Sequence, residues 1–84
     1  MCNLVDKHEF THGPQNYRIE WNQTGDNPAT YDLLLREITP GSEPETVFTM
    51  ALTGRSAHAF TENRKFRAGV AKEVELAVMA GEIA

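Results

Sequence analysis

Hydrophobic and polar residues alternate along much of the first two thirds of the chain, and that two-residue period predicts strands. From Asn16 to Asn22, Tyr17, Ile19 and Trp21 face one way while Arg18 and Glu20 face the other, the pattern of a half-buried strand. The turn formers Gln23-Thr24-Gly25-Asp26-Asn27-Pro28 close it as a loop. A second strand is expected over Ala29–Thr39, with Tyr31, Leu33 and Leu35 on the core side and Asp32, Leu34 and Arg36 opposite. A helix over Tyr31–Ile38 is the alternative; the flanking turns favour β. Thr39-Pro40-Gly41-Ser42-Glu43-Pro44 forms the next turn, with Pro40-Gly41 suited to the centre of a type II turn. Thr46–Thr53 is the third expected strand, Phe48, Met50 and Leu52 pointing in and the threonines out.

After Gly54 the period changes. Gly54 to Ala59 reads as a connector and Thr61 as an N-cap, with Phe60 placed to staple the first turns. A helix from about Glu62 to Ala80 follows, stopped by Gly81. Phe66, Val70, Val74, Ala77 and Val78 form its apolar stripe, about 120° wide at 100° per residue. The expected architecture is α+β: a three-stranded antiparallel β-meander with one C-terminal amphipathic helix packed on one face. Residues 1–84 form a single domain, with 1–15 as a flexible or edge-strand arm.

The 84 residues are 40% hydrophobic and 24% charged, the composition of a folded chain. At this size folding hides roughly 60–65% of the unfolded surface, enough for one thin core. No apolar run approaches the ~20 residues needed to span a bilayer, and no signal pattern opens the chain, so no membrane partner and a cytoplasmic setting are expected. The single cysteine, Cys2, has no internal disulfide partner and reads as a reduced thiol.

Candidate chemistry begins with His8-Glu9-Phe10-Thr11-His12, an H-E-x-x-H run. It resembles the signature of the zincin metallopeptidases, which implies His8 and His12 as zinc ligands and Glu9 as the base that activates a metal-bound water. The surrounding residues point elsewhere. Gly13-Pro14 ends any helix at the second histidine. His58 and Glu37 lie far along the chain as third ligands. Phe10 between the histidines suits an extended segment, where the two rings stand about 13 Å apart. No catalytic residues and no cofactor are assigned on this basis.

Charge is unevenly placed. Residues 1–53 carry three basic and eight acidic side chains, a net of −5, whereas residues 54–67 carry Arg55, Arg64, Lys65 and Arg67 against Glu62, a net of +3. The basic segment straddles the expected helix start, where free N–H groups attract anions and where Gly54, Ser56 and His58 can contribute. A sheet followed by a helix with an early basic cluster is similar in layout to the second half of a double-stranded-RNA-binding domain, which implies RNA binding by Arg55, His58, Arg64, Lys65 and Arg67. Here the first helix of that family is absent, and the net charge of −4 opposes the counterion release on which such affinity rests.

Spare apolar positions point to a partner. Leu76, Met79 and Ile83 lie roughly 140–180° from the middle of the helix stripe, and Leu34 and Ile38 fall on the outer side of their strand. Glu73 is expected to pair with Arg18, Arg36 or Arg55 at the rim. The leading expectation is a non-catalytic protein-interaction module whose acidic residues Asp26, Asp32, Glu43 and Glu45 steer it to a larger protein with a basic surface. Leu34, Leu76, Met79 and Ile83 complete that contact or make a homodimer. In size, charge and layout the chain resembles the small acidic phage-encoded inhibitors of host defences, anti-CRISPR proteins among them. RNA or nucleotide binding ranks second, and zinc-dependent hydrolysis third.

Overall fold

A computed structural model describes residues 3–83; Cys2 lies outside them. The element order is β1 (Asn3–His12), β2 (Gln15–Asp26), β3 (Ala29–Ile38), β4 (Glu45–Leu52), α1 (Gly54–Glu62) and α2 (Arg64–Met79). The strands form one antiparallel meander in the order β1-β2-β3-β4, and both helices cover one face of it.

The α+β class and the antiparallel meander agree with expectation, while two counts are corrected. The sheet has four strands rather than three, because residues 3–12 are an integral edge strand. The register pairs His8 with Ile19 and Phe10 with Tyr17, so Asp6, His8, Phe10 and His12 share the helix-side face. Only Phe10 of these is buried, stacked on Tyr17 at 5.3 Å between centroids. With a single apolar residue on the inward face, β1 lacks the alternation that marks a strand.

There are also two helices rather than one. The segment expected to be a connector begins α1, entered through Gly54 at φ +57°, a left-handed conformation that glycine adopts without the Cβ penalty. Ala57 and Phe60, three residues apart, are its buried face. Phe60 is fully buried, its ring 4.8 Å from Trp21 and 4.3 Å from Tyr31. Thr61 is not an N-cap. It sits inside α1, where its hydroxyl donates to the Ala57 carbonyl at 3.0 Å and lies 2.7 Å from the Tyr31 hydroxyl.

The break between the helices falls at Asn63, whose extended backbone ends α1 and whose Oδ1 accepts from the Lys65 N–H at 2.9 Å to cap α2. At the far end Glu82 N–H reaches the Ala77 carbonyl and Gly81 N–H the Val78 carbonyl, a Schellman closure. It turns Ile83 back onto the core.

The core contains the expected sheet residues Tyr17, Ile19, Trp21, Tyr31, Leu33, Leu35 and Leu52, joined by Ala71, Val74 and Val78 of α2. Phe48, Met50, Phe66 and Val70, expected in the same core, are only partly buried. On the uncovered face Glu20 accepts from Arg18 at 2.8 Å and from Arg36 at 2.9 Å. No helix among the described residues is long and apolar enough to cross a membrane.

Candidate functional site

The partly buried aromatics and aliphatics mark a groove of about 530 Å³ between β4 and α2. Phe48 and Met50 project from β4 on the helix side and form one wall. Phe66, Val70 and Ala77 descend from α2, and Ile83 closes one end. Gly69 opens the helix wall: a Cβ built there meets nothing within 4 Å. Glu73 and Glu82 are the charged side chains of the lining, and both are acidic. Leu76 follows Gly69 by seven residues, two helical turns, which puts it on the same side of α2, and it is 48% exposed. Leu76 itself is not part of the groove lining.

Other expected site residues are distributed as follows. Met79 remains exposed on α2, whereas Ile83 packs on the core and lines the groove. Leu34 and Ile38 are half-buried, with Leu34 on the uncovered face between Glu20 and Thr49. The acidic residues do not form one patch. Asp26 pairs with Ala29 at the start of β3, and Glu45 pairs with Glu37 near its end, about 27 Å of strand away. Glu43 lies in the loop on the Glu45 side, and Asp32 sits mid-strand beside Asn22 and Ala51. Glu73, expected to pair with Arg18, Arg36 or Arg55, faces the groove instead; Arg18 and Arg36 are held by Glu20 on the opposite face of the sheet.

The basic segment is divided in the same way. Arg64 and Arg67 meet Lys7 and His8 of β1 around a polar cleft of about 490 Å³ that also touches Trp21 and Asp6. Arg67 already makes three internal contacts, two to Phe60 and one to Asp6. Its Nε donates to the Phe60 carbonyl at 2.8 Å, its guanidinium lies 4.4 Å from the centre of the Phe60 ring, and Nη1 is 3.8 Å from Asp6. The Lys65 N–H at the helix start is taken by Asn63. Arg55 and His58 are exposed on α1 and do not line the cleft.

The H-E-x-x-H residues lie on β1, an extended strand. His8 and His12 share its helix side and Glu9 points the other way, so the helical arrangement of two rings beside a glutamate does not form. His8 Nε2 lies 3.6 Å from Glu75 of α2. Among the described residues no three His, Cys, Asp or Glu side chains cluster as a metal-binding group.

The groove was not foreseen as a site because its walls read as ordinary core. The available signal was Gly69 and Glu73 bordering the apolar stripe on one side, a gap and a charge along its edge. Compared with known protein families, curated proteins and solved structures, the chain matches none.

Proposed function

We propose that this chain is a non-catalytic protein-interaction module, a small acidic inhibitor or adaptor that docks a larger protein through the β4–α2 groove. The observation that carries the reading is the groove itself. It is apolar, and its charged lining is uniformly acidic. Contiguous apolar surface with a polar rim is characteristic of protein contacts. The net charge of −4 suits a target with a basic surface, as phage-encoded anti-defence inhibitors meet.

The test is affinity capture from nuclease-treated source or host lysate with the full chain and with Gly69→Leu, which fills the groove. The reading expects a stoichiometric protein retained by the full chain and lost with the variant. Equal capture by both would move the contact elsewhere. Recovery of nucleic acid alone from an untreated sample would favour the alternative, an anion or RNA site at the cleft of Lys7, His8, Arg64 and Arg67. That alternative expects binding to homopolymer RNA that falls steeply with salt.

A further inference from the structure

We propose that the target adds a fifth strand to the sheet at β4, as an extended segment with apolar side chains at alternate positions and a lysine or arginine facing Glu73. The proposal rests on the interaction-module reading and names the chemistry of the partner.

The two edges of the sheet are built differently. β1 carries Asp6, Lys7, His8 and Glu9 in succession and a register shift at Leu4/Asp6. Charges and irregularities of this kind discourage pairing by another chain. β4 has no charged residue and no proline from Thr46 to Leu52. Its own irregularity is at the beginning, where Leu35 pairs with Phe48 but Arg36 pairs with Thr46, leaving residues 48–52 regular. The outward N–H and C=O groups of that stretch are a template for one more strand.

The groove lies alongside this open edge, on the helix side. A strand added about 4.8 Å from β4 sets every second side chain beside Phe48 and Met50, beneath α2. The space left at Gly69 accommodates those side chains. Strand and groove are thus filled together by one extended segment. A docked helix would fill the groove but leave the β4 edge unpaired.

Charge decides between a foreign segment and a second copy of this chain. A second copy would bring its own Glu73 and Glu82 to the same place and a β4 whose one charged residue is the acidic Glu45, so like charges would meet without a cation between them. A lysine or arginine lays its apolar stem along the groove and sets its charged head at Glu73.

The experiment is selection of a random linear peptide library displayed on phage, against the full chain and against Gly69→Leu, with thermal melts confirming that both are folded. The expected winners have apolar residues at i, i+2 and i+4 with Lys or Arg among them, and they bind Gly69→Leu at least tenfold more weakly. Synthetic winners should slow hydrogen exchange at the β4 amides that face away from β3. Glu73→Lys should shift the selection toward acidic peptides. Winners with helical spacing that Gly69→Leu still blocks would overturn the added strand while leaving the docking groove intact. No peptide that distinguishes the chain from the variant, together with no groove-dependent capture from lysate, would overturn both. A dimer by sedimentation that Gly69→Leu dissolves would overturn the foreign segment in favour of a second copy.

Discussion

Gly69→Ala tests the geometry of α2 directly. Gly69 is exposed in the middle of the helix, and apart from its chain neighbours and the adjoining helix backbone no atom lies within 4 Å of the Cβ that alanine would add. The substitution therefore changes backbone propensity and little else. Alanine is favoured over glycine in a helix interior by about 1 kcal/mol, largely because the unfolded chain has less freedom to lose. In a domain of this size about 1 kcal/mol raises Tm by roughly 4–8 °C.

Gly54→Ala supplies the opposite control. Gly54 also has open space around its Cβ position, but its φ is +57°, where alanine is strained by about 1–2 kcal/mol. The pair should therefore move Tm in opposite directions although neither side chain meets a steric obstacle. Urea titration with equal m-values checks that stability alone has changed. A Gly69→Ala protein with an unchanged or lower midpoint would refute the reasoning, because residue 69 would then not lie in an open, regular helix interior.

Three further outcomes follow from the packing. Phe60→Ala, which removes the ring contacting Trp21, Tyr31 and Arg67, should cost about 3–5 kcal/mol, enough to leave a small domain marginal; tryptophan fluorescence during denaturation reads this, and a loss below about 1 kcal/mol contradicts the burial. Asn63→Ala removes the cap of α2 and should destabilise by about 1 kcal/mol, with Asn63→Asp retaining most of the stability, measured by chemical denaturation. Glu20→Gln leaves Arg18 and Arg36 adjacent without their shared carboxylate; because the group is partly solvated the loss should stay near or below about 1 kcal/mol and shrink with added salt, whereas a salt-independent loss would rule out the ion-pair account.

How much of this was legible beforehand differs from element to element. The alternation Tyr17-Ile19-Trp21 and Tyr31-Leu33-Leu35 specified two strands and the side they bury, because a half-buried strand must repeat at two residues. Gly81 and the apolar spacing before it likewise specified where the last helix ends. β1 was legible only as an arm, either flexible or an edge strand, because its inward positions Asp6, His8 and His12 are polar. Their placement comes from pairing with β2 and from His8 and Asp6 meeting Glu75 and Arg67 of α2. α1 was hidden by its brevity, since a single Ala57–Phe60 spacing carries too little period to separate helix from loop.

The groove depended on tertiary structure most of all. Apolar residues alone do not say whether a neighbour covers them. Phe48, Met50, Phe66 and Val70 have the pattern of core residues, and only the placement of α2 across the sheet leaves them half open beside an unpaired strand edge. Local sequence sets period and turn. Which polar residues become internal partners, and which apolar ones are left for another molecule, is settled when distant segments meet.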